Sequence, residues 1–191
     1  MKNIKSRRIQ LTFAELKDRK KIFDMLLSQD VYEYMFDKDH PAPSWVEFLE
    51  EGESYYTGMP NKDGSYLLIE LDKQIIGSIS YDCGYEKIPY AELDIWLCQK
   101  KFLGRGLGTE AIQTLVHFLN TTYQIRDFII RPWTKNLNAI KAYKKLGFHE
   151  SNNSKIEDYY SEENMDLYGQ GDYGREETLD LFLKYEKKPN K

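Results

Sequence analysis

Three glycines stand at alternate positions in KFLGRGLGTEAI, residues 101–112: Gly104, Gly106 and Gly108. A helical apolar pattern follows at once. Glycines let successive backbone N–H groups turn inward without Cβ clashes, and a helix N-terminus adds orphan donors and partial positive charge. Arg105 adds a full charge. The chemistry this suits is the binding of a phosphate or pyrophosphate; a tight strand-to-helix turn with no ligand is the plainer alternative. A second residue of interest lies upstream. Asp94 interrupts a strand that is otherwise apolar at Leu93, Ile95, Trp96 and Leu97. A carboxylate there costs strand propensity and desolvation unless it works or is paired; a surface position on the open face is the other reading. Glu92 shares the parity of Asp94, so both point to the same side of the strand.

Spacing excludes two common owners of such a loop. A nucleotide-triphosphate P-loop needs G-x-x-x-x-G-K-[ST], but Thr109 follows Gly108 directly with no lysine between. A dinucleotide fingerprint needs G-x-G-x-x-G early in a βαβ unit, and the pattern here is G-x-G-x-G. Composition narrows the field further. The net charge of the 191 residues is -4 and no basic stripe stands out, which argues against nucleic acid and permits a cationic small molecule. His40, His117 and His149 are scattered without metal-ligand spacing, so no metal is expected. Cys83 and Cys98 are too few for a disulfide framework and suit a reducing compartment. The basic start, MKNIKSRR, has no apolar run behind it, and no segment approaches the ~20 apolar residues needed to span a bilayer. A cytoplasmic protein without membrane contact is expected.

These residues need elements to hold them. RRIQLTFA reads as a first strand and LKDRKKIFDMLLSQ as a helix. DKDHPAPSW breaks the chain, and Ser44 caps a second helix, WVEFLEEGESYY. SYLLIELD and QIIGSISYD form a hairpin about a short Asp-Lys turn. YAELDIWLC is a strand leading into the glycine loop, and a helix runs from about Thr109 to Tyr123. RDFIIRP is a strand closed by Pro132. NLNAIKAYKKLGF is a helix capped by Asn136 and ended by Gly147. An acidic, Tyr-rich stretch precedes a last strand, ETLDLFLKY. The order β-α-α-β-β-β-α-β-α-(β)-β predicts an α/β (α+β) domain around one mixed central sheet flanked by helices. It covers residues 1–186, with 187–191 a disordered tail.

The second helix motif carries a resemblance. Asn136, Ala139, Tyr143, Gly147 and Phe148 stand as N-x-x-A-x-x-x-Y-x-x-x-G-F. With the glycine loop and the strand before it, this resembles the GCN5-related N-acetyltransferase (GNAT) superfamily, most sharply from Tyr90 to Phe148. The family's loop pattern is [QR]-x-x-G-x-[GA]; Gly106 and Gly108 match, while Leu103 stands where Gln or Arg is usual. The resemblance implies acetyl-CoA as co-substrate, lying where two parallel strands, YAELDIWLC and RDFIIRP, splay apart. It implies a pyrophosphate cradle from Leu103, Gly104, Arg105, Gly106, Leu107, Gly108 and Thr109, with Asn136 bonding the pantetheine arm. The amine then attacks the thioester directly. A backbone N–H at Leu97 or Cys98 meets the developing oxyanion, and Tyr143, a phenol with pKa near ~10, gives its proton to the departing thiolate.

Asp94 to Gly106 looks like the corresponding stretch of aminoglycoside 6'-N-acetyltransferases, in which an Asp at the same distance before the loop holds the amino group. The resemblance implies that Asp94 binds the substrate ammonium and relays its proton, with Glu92 beside it. LSQDVYEYMF is similar to the segment after that group's first helix. Carboxylates at Glu157, Asp158, Glu162, Glu163, Asp166, Asp172, Glu176 and Glu177 suit a polycationic antibiotic or polyamine, or simply a solvated surface. One departure is Arg131-Pro132, where those enzymes commonly carry an Asp facing substrate. An Arg131 facing the pocket would disfavour an aminoglycoside and favour a carboxylate- or phosphate-bearing substrate. Two other functions stay open: a RimJ/RimL-like acetyltransferase of a protein N-terminus or other cellular amine, and a non-catalytic acyl-CoA-binding module. The tyrosines from Tyr159 onward suit a homodimer interface or a substrate lid.

Overall fold

The structure, a computed structural model, describes residues 2–50 and 52–185; the expected tail at 187–191 lies outside them. Seven strands hydrogen-bond in chain order: β1 (Asn3–Lys5), β2 (Ile9–Phe13), β3 (Gly64–Leu71), β4 (Gln74–Gly84), β5 (Tyr90–Leu97), β6 (Asp127–Ile130) and β7 (Leu181–Lys184). Among the described residues, six α-helices accompany them: α1 (Arg19–Leu26), α2 (Gln29–Met35), α3 (Trp45–Glu50), α4 (Leu107–Tyr123), α5 (Leu137–Lys145) and α6 (Glu162–Tyr168). The β1–β2, β2–β3, β3–β4 and β6–β7 pairs are antiparallel, whereas β5–β6 is parallel. The sheet is therefore mixed, as expected from three strands in a row without helices between them.

The chain divides into two compact units, and both β5 and α4 run from one into the other. The first comprises Met1–Asp82 and Asp94–Thr114. Its β2 alternates buried and half-buried residues, the signature of a strand covered on one face. Asp72 and Lys73 both adopt positive φ, 49° and 65°. This is the two-residue turn whose twist matches a hairpin. Ala14, Phe23, Val31, Phe48, Tyr56, Leu68 and Trp96 belong to a buried cluster that brings the early helices onto the sheet. Ser44 caps α3: its Oγ accepts from the Glu47 amide at 3.2 Å, and the Ser44 amide donates to the Glu47 carboxylate at 2.7 Å.

The second unit comprises Cys83–Leu93 and Leu115–Lys191. Tyr90, Ile129, Ile156, Tyr159, Tyr160 and Phe182 form its buried cluster. The β5–β6 pairing runs in register from Tyr90↔Asp127 to Glu92↔Ile129. Asn136 caps α5 as expected, its side chain accepting from the Ala139 amide at 3.2 Å.

Four elements differ from the sequence reading. The basic lead contains β1, a short lysine-bearing strand paired only with β2 in the order, a composition that protects a sheet edge. The segment LSQDVYEYMF contains α2, and the acidic stretch contains α6. The long first helix is shorter than expected, because Ser28 adopts extended geometry (ψ 143°) between α1 and α2.

One glycine fixes how closely β4 lies against β5. A Cβ on Gly77 would stand 2.2 Å from the Trp96 carbonyl oxygen and 2.9 Å from Leu97 Cα. Backbone cannot yield as a flexible side chain does. Gly77→Ala should therefore destabilise the protein by about 1–3 kcal/mol, the usual scale of overpacking, read from the urea midpoint. An unchanged midpoint would show that the two strands separate at no cost.

Candidate active site

In the first unit the site residues lie along one continuous path, from β5 through the glycine turn into α4. Asp94 is exposed, and its Oδ1 accepts from the Ile95 amide at 2.8 Å. Beyond it, the peptide joining Leu97 and Cys98 is held from both sides. The Cys98 N–H donates to the Ile76 carbonyl at 2.8 Å, and the Leu97 carbonyl accepts from the Tyr34 hydroxyl at 2.8 Å. In an extended strand a residue's own N–H and C=O point to the same edge. The Leu97 amide therefore points to the edge that Tyr34 caps, away from β4. Of these two amides, that of Cys98 is committed to the sheet and that of Leu97 faces the other edge. Burial raises the Tyr34 hydroxyl's pKa, and the Asp94 carboxylate raises it further, so the phenol stays a donor. Burial also raises the Cys98 thiol, which keeps it protonated and a poor nucleophile.

The chain then makes a 3-10 turn at Lys100–Phe102, pinned by buried Phe102, and enters the glycine turn. Gly104 and Gly106 adopt φ of 69° and 74°, the left-handed region that L side chains avoid. No clash requires them. A Cβ on Gly104 would meet nothing within 4 Å, so the demand is conformational. The first intrahelical bond of α4 runs from the Glu110 amide to the Gly106 carbonyl at 3.0 Å. The amides of Leu107, Gly108 and Thr109 therefore have no intrahelical acceptor and open the helix as a set of donors. Leu103 is largely exposed and Leu107 is buried, so the turn works through backbone at both positions. The donor set fits an anion.

Sequence reasoning missed Arg8 at this turn. Its backbone N–H and Nε each donate to the Glu110 carboxylate at 2.7 Å, and Nη1 donates to the Arg105 carbonyl at 2.9 Å. Partial burial would raise the Glu110 pKa, but hydrogen bonds from Arg8 and Ser6 outweigh it and hold the carboxyl below its ordinary range.

In the second unit, Glu92 accepts a hydrogen bond from the Tyr160 hydroxyl. Burial, then the Glu92 charge, raises the Tyr160 phenol's pKa well above its ordinary value. Arg131, whose direction the sequence leaves open, is held by internal hydrogen bonds. Its Nε donates to Asp180 at 2.8 Å, Nη1 to the Tyr168 carbonyl at 2.7 Å, and Nη2 to the Gly169 carbonyl at 2.8 Å. Burial opposes its charge, but Glu92, Tyr160 and Asp180 more than compensate. Next to it, Trp133 stacks on Tyr173 with ring centroids 5.2 Å apart and donates to Glu177 at 2.9 Å. The acidic segment is thus fastened to the end of β6. Tyr143 is 8% exposed on α5, tilted against Phe148 at 6.4 Å. Among the described residues, no group of three or more His, Cys, Asp or Glu is placed to hold a metal, and no helix is long and apolar enough to cross a membrane.

Residues 8–149 match the family model described as "Acetyltransferase (GNAT) domain". The crystal structure of aminoglycoside acetyltransferase AAC(6')-Ib in complex with coenzyme A and kanamycin is similar, with TM-score 0.64, 17% identity, and 92% of this chain and 94% of that one covered. Spermidine N-acetyltransferase from Vibrio cholerae, in complex with CoA and spermine, gives TM-score 0.65 and 17% identity over 93% and 95%. A kanamycin resistance protein of Rhizobium radiobacter is 36% identical over 56 residues, 29% of this chain. The chain spans about half of that relative's length, 52%.

Two measurements test these assignments. Arg131→Met should cost about 3–5 kcal/mol, the scale for breaking a buried ion pair, by denaturant unfolding; unchanged stability would return Arg131 to a ligand-facing role. For Glu110, the unfolded chain takes up a proton near ~4.3, above the depressed folded value. Its stabilisation is therefore complete above that pH and is lost as pH falls through the folded value. Thermal midpoints should fall less steeply in Glu110→Gln than in the parent below pH ~4.3; parallel curves would show that Glu110 is not perturbed by folding.

Proposed function

Because the chain belongs to the GNAT acetyltransferase family, we propose that it is an acetyl-CoA-dependent N-acetyltransferase of a small polycationic amine, an aminoglycoside acetylated at its 6'-amino group being favoured. The observation that carries this reading is the left-handed turn at Gly104 and Gly106 opening α4, on a chain that has just left the strand bearing an exposed Asp94. The turn supplies amides for a pyrophosphate, and Asp94 supplies a carboxylate for an ammonium. The match to the kanamycin resistance protein supports an aminoglycoside, and the likeness to a spermidine acetyltransferase makes polyamines the nearest competitor.

Acetyl-CoA supplies the acetyl group as a thioester. The chain's own residues supply the rest. Asp94 holds the substrate ammonium and takes its proton, directly or through a water, so that the nitrogen lone pair is free to attack. A new N–C bond forms as the C–S bond breaks. The Leu97 amide, turned away from β4, donates to the carbonyl oxygen as its charge grows. As the family pattern implies, Tyr143 gives its proton to the sulfur that leaves and is restored, directly or through a water, by the second proton that the acylated nitrogen sheds; Asn136 binds the pantetheine arm. Arg131 no longer argues against a cationic substrate, because its charge is matched inside the second unit.

A thiol-release assay with acetyl-CoA and a panel of amines tests the reading. Turnover on kanamycin-type compounds above that on spermidine or peptides is expected. Preference for a peptide N-terminus would shift the assignment to the RimJ/RimL-like group. Binding of acetyl-CoA with no amine acetylated would leave an acyl-CoA-binding module. Asp94→Asn should lower amine turnover at least ~10-fold, within the range for a lost acid–base group, while CoA affinity holds. Equal rates in variant and parent would remove Asp94 from the chemistry.

A further inference from the structure

Arg8 lies 97 residues from Arg105 and 102 from Glu110, yet it touches both. Its contacts are of two kinds. The Nη1 hydrogen bond at 2.9 Å fixes the direction of the Arg105 carbonyl. In a trans peptide the carbonyl and the following N–H point opposite ways. Holding that oxygen therefore sets the direction of the Gly106 amide, at the residue whose left-handed φ makes the turn. The second kind is charge. Glu110 sits in the first turn of α4. A carboxylate there suits the helix dipole on its own, but it competes with any anion for the same field. Arg8 meets both carboxylate oxygens at 2.7 Å and leaves the Glu110 side chain only 13% exposed. The remaining guanidinium nitrogen, Nη2, lies 3.5 Å from where a Cβ of Gly106 would stand. The cation is thus at the turn itself.

We propose that Arg8 is a positioning residue for the cofactor turn: it aims the Gly106 amide and cancels the charge of Glu110, so that the amides opening α4 receive a pyrophosphate. The inference rests on the reading of this turn as the CoA pyrophosphate site. It assigns a role in cofactor affinity to a residue ahead of β2, far in sequence from the glycine motif. A lysine cannot reproduce it, because an ammonium lacks the planar fork that serves a carboxylate and a carbonyl together.

Isothermal calorimetry on the full chain separates the possibilities. The ligands are CoA and pantetheine, which lacks the pyrophosphate. Arg8→Ala is expected to weaken CoA about tenfold, the scale of one charge-assisted hydrogen bond, and so to narrow the preference for CoA over pantetheine by the same factor. Arg8→Lys should recover only part of that loss. The double variant Arg8→Ala/Glu110→Gln should recover the part due to charge. In steady-state assays the KM for acetyl-CoA should rise more than the KM for the amine. Thermal midpoints report whether each variant is folded. Unchanged CoA affinity in a folded Arg8→Ala, or equal losses for CoA and pantetheine, would overturn the inference while leaving the cofactor reading intact. A parent protein that does not bind CoA would overturn the reading and the inference with it.

Discussion

The peptide between Leu97 and Cys98 is the fixed point of the first unit. Its N–H is tied to Ile76 on β4 and its carbonyl to Tyr34 on α2. The same short helix and its cap hold the residues that follow. Ser28 donates to the Cys98 carbonyl at 3.1 Å, Asp30 accepts from the Lys100 amide at 2.8 Å, and Glu33 pairs with the Lys100 ammonium. Positions 30, 33 and 34 share one face of a helix. That face replaces the sheet pairing the chain gives up as it leaves β5. With residues 97–100 held, the start of the glycine turn is set, and the turn needs only its two left-handed glycines to redirect the chain into α4. Close approach at Gly77 supplies the opposing wall.

That dependence explains what was legible in the sequence. The strand at β5, the turn, α4 and the cap at Asn136 were readable because each has a strong local signature: parity, glycine spacing, apolar period, a side-chain acceptor before a helix. Helix α2 has none. It is two turns long and its only buried residue is Val31, so no apolar period marks it. Its polar residues carry no local signature, because their partners lie about seventy positions away. Helix α6 buries no residue at all, and its acidic run had only charge to offer. Glycine spacing suggests a phosphate at this loop, but nothing local points to the arginine behind it. Arg8 opens RRIQLTFA beside Arg7, and nothing local separates the two. Parity likewise put Glu92 and Asp94 on one side of β5. It was silent on Tyr160, which arrives from 68 residues further on to donate to Glu92.

Arg8 and Arg131 solve the same problem in the two units. Each stands at an end of a strand, Arg8 just before β2 and Arg131 just after β6. Each divides its donors between a carboxylate and backbone carbonyls of a turn: Glu110 and Arg105 in one case, Asp180 with Tyr168 and Gly169 in the other. A turn rich in glycine pays a high entropy cost for order and has little side-chain surface to bury. Apolar packing therefore cannot hold it. A guanidinium can, because its planar array of donors satisfies several carbonyl and carboxylate oxygens at once while its charge is matched locally. The charge match matters as much as the reach. An unmatched glutamate at the start of α4 would set a full negative charge against any anion at the helix N-terminus. Each charge is thereby matched within its own unit.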